Sequence, residues 1–123
     1  MRYMLLIYSP ESHWESISEK ERGEIFQQYT DFTDSIRKSG HYVAGDPLEA
    51  TTAATTVRVR NGKSVSTDGP FAETREQLGG YYIVKAKNLD EATEIASRVP
   101  SARMGSIEVR PILEMTQARQ AAS

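Results

Sequence analysis

The sequence predicts an α+β fold in which helices cover one face of a small antiparallel sheet. Three observations carry that prediction. Hydrophobic residues follow a strand period at both ends and in the middle of the chain, and a helix period twice in between. An Asn61-Gly62 pair flanked by alternating residues marks a hairpin inserted between two strand–helix–strand passes. The 123 residues suit one domain with an ordinary core, and no linker, repeat or low-complexity block divides them.

Residues 2–8 open the chain as a strand. Tyr3, Leu5 and Ile7 point to one face, Met4, Leu6 and Tyr8 to the other. A strand apolar on both sides needs cover on both. Helices supply one cover, and a second copy of the chain is expected to supply the other. Residues 9–15 form a polar connection that contains Pro10, His13 and the single tryptophan, Trp14. A helix follows from Ser18, which stands three residues before Glu21 in capping-box spacing. Ile25, Tyr29, Phe32 and Ile36 make its apolar stripe, with Phe26 and Thr33 alongside. Gly40 stops it, after Arg37 and Lys38 at the negative end of the helix dipole.

A short strand is expected over 42–45, ended by Asp46-Pro47, and then loop or edge strand over 49–54. Residues 55–60 form the next strand, with Val57 and Val59 opposite Arg58 and Arg60. For the hairpin, a two-residue turn pairs Arg58 with Val65. A three-residue bulged turn, Arg60-Asn61-Gly62, pairs Val57 with Val65 and keeps apolar residues together. The bulged turn is the one expected. Residues 80–86 form a strand apolar on both faces at its centre. Asn88 and Glu91 repeat the capping spacing, and Leu89, Ala92, Ile95, Ala96 and Val99 make a second buried stripe ended by Pro100. The last strand spans 104–112, with Ile107, Val109 and Pro111 alternating against Glu108 and Arg110. The domain is thus read as 1–112, with a polar, alanine-rich tail over 113–123. This order of elements points to a ferredoxin-like sandwich with an inserted β-hairpin.

Composition excludes several functions. Net charge is -2, from 15 basic and 17 acidic residues, so no field favours nucleic acid or a membrane. Arg58, Arg60 and Lys63 read as a solvated strand face. Cysteine is absent, which removes thiol catalysis, disulfides and cysteine-ligated metals, and suits a cytoplasmic protein. No apolar run reaches membrane length. His13 and His41 lie apart with no metal-ligand spacing around them, no glycine-rich run opens a helix with a lysine, and no serine sits in a nucleophile elbow. No metal and no cofactor are expected.

The stretch Asp68-Gly69-Pro70-Phe71-Ala72-Glu73-Thr74, followed by Glu76-Gln77-Leu78-Gly79-Gly80-Tyr81-Tyr82, resembles the signature of the DGPF-type family within the YCII-related proteins. Met4-Leu5-Leu6-Ile7-Tyr8, Thr56-Val57-Arg58 and Ile107-Glu108-Val109-Arg110-Pro111 extend the resemblance to about residue 112. It implies a homodimer, a dimeric α+β barrel made by two sheets face to face. It further implies a cleft with a His–Asp pair for acid–base chemistry, in which Asp68 is the acid. Where the wider group carries the histidine on its first helix, this chain has Gln27, Gln28 and Tyr29. Relatives that resemble proteins encoded beside alternative sigma factors imply a regulatory role instead.

Two readings stand beside each other for every candidate residue. Asp68 precedes Gly-Pro, a stiff backbone that suits a catalytic carboxylate, with Gly69 expected to be extended. The same pattern nucleates a turn. His41, just past a helix end, is either the acid–base partner of Asp68 or a cap. Phe71 is a ligand contact, or a plug in the core or dimer. Glu73, Arg75 and Glu76 either anchor a charged ligand or pair at the surface. Gly79-Gly80 allows close backbone approach or forms a bulge. Tyr81 and Tyr82 face opposite ways, so one of them lines any given pocket, and Tyr81 is taken as the ligand-side member. The function expected is binding of a small polar metabolite near Asp68 with acid–base catalysis. The competing expectation is a non-catalytic sensing or protein-interaction module.

Overall fold

In a computed structural model, residues 1–115 are described, and the tail expected over 113–123 lies outside them from residue 116 on. Four strands form one sheet: β1 (Arg2–Ser9), β2 (Tyr42–Pro47), β5 (Gln77–Lys85) and β6 (Ser106–Pro111). Their order is β2-β5-β1-β6, and every neighbouring pair is antiparallel. Among the described residues, strands β3 (Thr55–Arg60) and β4 (Lys63–Asp68) pair only with each other, as a separate two-stranded sheet. Among the described residues three helices join them: α1 (Glu11–Ser16), α2 (Glu19–Lys38) and α3 (Leu89–Ser97).

The core lies between the sheet and the two longer helices. Along β1, Tyr3, Leu5 and Ile7 are buried while Met4, Leu6 and Tyr8 stay half-buried. Tyr82 and Val84 of β5 join the buried row, opposite Leu5 and Tyr3. Phe32 and Ile36 of α2 and Ala92, Ile95 and Ala96 of α3 close over them. Phe32 meets the Tyr82 ring edge-on at 5.2 Å, and Thr33 Oγ1 hydrogen-bonds the Tyr82 hydroxyl at 2.7 Å. Leu89, expected in that buried stripe, is instead 53% exposed, because it is the first residue of α3 and stands clear of the sheet.

The helix ends follow the local chemistry. Ser18 Oγ accepts the Glu21 amide at 3.1 Å and Asn88 Oδ1 the Glu91 amide at 2.9 Å, each satisfying an amide with no partner inside its helix. At the end of α2, Gly40 takes φ +81. The His41 amide then reaches the Ile36 carbonyl and the Gly40 amide reaches that of Arg37, the paired bonds of a Schellman motif. The polar connection expected over 9–15 is partly helical, as α1.

Two local expectations fail at the hairpin. Arg58 pairs with Val65 and Val59 with Ser64, so the turn is the two-residue kind and the bulged alternative is wrong. Asn61 (φ 53) and Gly62 (φ 74) both have positive φ, the signature of a type I′ turn. Hydrophobic pairing had no leverage here, because every residue of β4 is exposed, as are Val57 and Val59, and no buried face penalises the register. Turn geometry decides it. Gly69 is also not extended in the ordinary sense: its φ is +99, which glycine tolerates, and its amide donates to the Ala54 carbonyl at 2.7 Å.

Candidate functional site

Among the described residues, nothing covers the face of the sheet away from the helices. Met4, Leu6 and Tyr8 of β1 stand on it, beside Ile83 and Tyr81 of β5 and Glu108 and Arg110 of β6. All of the apolar members are half-buried rather than buried. At one edge of this face Asp46 of β2 lies directly opposite Tyr81, and the Tyr81 hydroxyl donates to Asp46 Oδ2 at 2.7 Å. That bond is the main reason the Tyr81 phenol is held above its ordinary pKa, since the proton it donates is retained. The pair thus presents a protonated phenol and a carboxylate side by side, one donor and one acceptor on a fixed scaffold.

The scaffold is stiff because the backbone is tightly packed there. A β-bulge places Gly79 between the partners of Ile7 and Tyr8, and Gly80 faces β2. A Cβ on Gly80 would meet the Asp46 carbonyl at 3.0 Å and Pro47 Cα at 3.3 Å. The close approach expected at Gly79-Gly80 is therefore made by strand β2. Glu11 ties the same end of the molecule together. Its carboxylate accepts from the Thr51 amide at 2.8 Å and the Thr51 hydroxyl at 2.9 Å, while its own amide donates to Gln77 Oε1 at 2.9 Å.

The candidates named from the sequence fall in different places. Asp68 ends β4, is exposed, and among the described residues its carboxylate accepts no hydrogen bond. His41 is at the other end of the sheet. Its carbonyl accepts the Lys85 amide, whereas Asp68 lies where Glu11 joins Thr51 to Gln77 and Gly69 joins Ala54. Seven residues of β5 lie between Gln77 and Lys85, about 26 Å at the rise of a strand. One chain does not bring His41 and Asp68 together. His41 instead bridges Ser39 Oγ (2.6 Å) and Glu91 Oε1 (3.1 Å), joining the end of α2 to the start of α3.

Phe71 is 81% exposed, so it is no part of this chain's core. Glu73 and Arg75 are exposed on the same loop, and neither makes an ion pair among the described residues. Glu76, next in line, accepts from Ser106 Oγ at 2.8 Å and anchors the loop to β6. Of the candidates, Tyr81 alone stands on the open face with a polar partner. Asp46 and Glu11 went unselected in the sequence. The available signal for Asp46 was an aspartate ending a strand before proline, and for Glu11 there was none, since its partners are 40 and 66 residues away. No three His, Asp or Glu side chains gather as a metal site among the described residues. Among the described residues no helix is long and apolar enough to cross a membrane.

Similarity to other proteins matches this picture in extent. The profile of the YCII-related domain matches residues 1–116. An uncharacterized protein of Rhizobium meliloti (strain 1021) is 36% identical over 114 residues, covering 91% of this chain and 92% of that protein.

Proposed function

The chain belongs to the YCII-related domain family, and from that premise we propose that it acts as a homodimer that binds a small polar metabolite beside its open sheet face. The single observation that carries this reading is that face itself. It sets Met4, Leu6, Tyr8 and Ile83, half-buried and uncovered by any other described residue, next to the donor–acceptor pair Tyr81–Asp46. Apolar strands exposed on one side gain by covering each other, at about 25 cal/mol per Å² of apolar surface removed from water. The strand order β2-β5-β1-β6, antiparallel throughout, supports a ferredoxin-like subunit whose sheet packs on a second copy as a dimeric α+β barrel. We take Asp68, Phe71, Glu73 and Arg75, all exposed on the segment that leads into β5, as the mouth of that site.

Within that cleft Tyr81 acts as a proton donor and Asp46 as its acceptor, with Asp68 as a second carboxylate at the rim. The chemistry such a group set performs is general acid–base transfer at a polar substrate atom. A second reading has its own support. The exposed Asp68 at the end of β4 lies three residues before the 81% exposed Phe71, the arrangement of a surface that meets another protein without catalysis.

Light scattering at micromolar concentration tests the assembly, and a monomer would contradict it. A thermal-shift screen against small acids, amines and phosphates tests the site, run on wild type, Tyr81→Phe and Asp68→Asn together. A ligand that stabilises the wild type and loses its effect in Tyr81→Phe upholds the cleft. If no metabolite raises the melting temperature of a confirmed dimer, the interaction reading replaces it.

A further inference from the structure

A separate cavity lies on the helix side of the sheet, between α1, α2 and the 3-10 turn Pro100–Arg103. It is an open cavity of about 310 Å³. Trp14, Ile25 and Met104 supply apolar wall, and His13, Gln28 and Arg103 supply nitrogen donors. We propose that this cavity is a binding site for a small organic carboxylate with an apolar body, an aryl or short alkyl acid. Nothing in the open-face reading depends on it, because the sheet stands between the two.

The charge argument comes first. Arg2, Arg98 and Arg110 each pair with a glutamate, Glu114, Glu94 and Glu108. Arg103, like Arg22, Arg37, Arg58, Arg60 and Arg75, makes no such pair among the described residues, and of these it alone lines the cavity. Its Nη2 donates instead to the neutral Gln28 Oε1 at 3.1 Å. That bond fixes the direction of the guanidinium without neutralising it, and leaves donors of the planar fork free. A fork of this kind matches a carboxylate by two parallel hydrogen bonds. The His13 ring, on α1 across the cavity, adds a further nitrogen.

The apolar wall is built as firmly. Trp14 is held from one side by Phe26, edge-on at 5.4 Å, and from another by Arg22, whose guanidinium stands 5.4 Å from the ring centre. Arg22 Nε also donates to the Trp14 carbonyl at 3.1 Å. An indole fixed in this way and still 36% exposed is a prepared surface for an apolar group. On the floor, Ser101 Oγ is engaged by the Tyr29 hydroxyl at 2.5 Å, so its hydroxyl is already committed. Mixed walls with a few convergent polar groups characterise small-molecule sites, and about 300 Å³ is the small end of their range. That size admits one ring or a short chain and excludes nucleotides.

Phenylacetate is the probe, with 2-phenylethanol as its uncharged counterpart. Both are titrated into the intact protein up to about 10 mM, the range of weak single-ring ligands, while two-dimensional NMR follows the Trp14 indole and the backbone amides. The Trp14 indole and residues 100–104 should shift with phenylacetate. Removing either charge, by 2-phenylethanol or by Arg103→Gln, should weaken binding about tenfold or more, as expected for a hydrogen bond to a charged group. Arg103 is exposed, so its replacement spares the fold, and an unchanged amide spectrum away from the turn checks this. The proposal is overturned if the Trp14 indole does not move, if Arg103→Gln or 2-phenylethanol binds as tightly, or if the shifts map to Tyr81 and its strand.

Discussion

Replacing a glycine by alanine should have opposite effects at two positions of this chain, and the difference is set by what surrounds each. Gly105 opens β6 against the end of β1. A Cβ placed there would meet the Tyr8 carbonyl oxygen at 2.0 Å and Ser9 Cα and Cβ at 3.0 Å. An ordinary carbon–oxygen contact needs more than a further ångström, and the obstacle is backbone in the central strand of the sheet, so rotamer change gives no relief. Displacements of that size in packed interiors cost about 1–3 kcal/mol. Gly23 lies in exposed α2 with no atom within 4 Å of its would-be Cβ. Alanine there gains about 0.5–1 kcal/mol by restricting the unfolded chain and favouring helix. For a chain of this length each kcal/mol moves the melting temperature by about 4 °C. Gly105→Ala should therefore melt about 4–12 °C lower than wild type and Gly23→Ala about 2–4 °C higher, with urea midpoints moving the same way. A Gly105→Ala protein as stable as wild type would refute the reasoning, since it would mean that the two strand ends do not approach as described.

Three further perturbations read other parts of the structure. The Glu91 carboxyl is held below its ordinary value of about 4.5, first by the Lys87 amide and then by His41. A depressed carboxyl adds stability above its unfolded pKa and loses it as pH falls through the folded one. Urea midpoints of wild type should therefore drop from about pH 4.5 downward, and Glu91→Gln should flatten that acid limb. An unchanged limb would remove Glu91 from it. Tyr82→Phe leaves the ring packed on Phe32 but strands the Thr33 hydroxyl, and should cost about 1 kcal/mol by urea denaturation. No loss at all would mean that water serves Thr33 equally well. Glu11→Ala deletes both acceptors of Thr51 and should cost about 2 kcal/mol, with amide exchange at Thr51 accelerated ahead of the core. Protection at Thr51 equal to that of Leu5 would contradict the link.

Much of the fold was legible in the residues, for reasons that differ by element. The stripe Phe32–Ile36, the caps at Ser18 and Asn88 and the stop at Gly40 are local: their partners lie within five residues, so spacing alone identifies them. The two-sided character of β1 was legible because alternation is local as well. The hairpin register was not, since an argument from buried faces was applied to strands that bury nothing. Leu89 was misplaced for a related reason, because periodicity gives the angle around a helix but not where the helix meets the sheet. Of the site, Tyr81 was found by its alternation with Tyr82. Its partner was missed.

By itself, the sequence determined the strands and the two longer helices, their order, the caps of those helices, and the apolar character of both faces of β1. Each follows from short-range periods and from turn and cap chemistry that acts over a few bonds. Only the tertiary structure decided which side chains meet. Asp46 reaches Tyr81 across 35 residues, Glu11 reaches Thr51 across 40, and His41 turns to Glu91 across 50. Gly105 became indispensable through the carbonyl of Tyr8, far away in the chain. Such contacts depend on strand register and on the angle at which helices settle, which are set by packing the whole core at once. The physical chemistry of a site is local in space, and nothing in a linear chain makes it local in sequence.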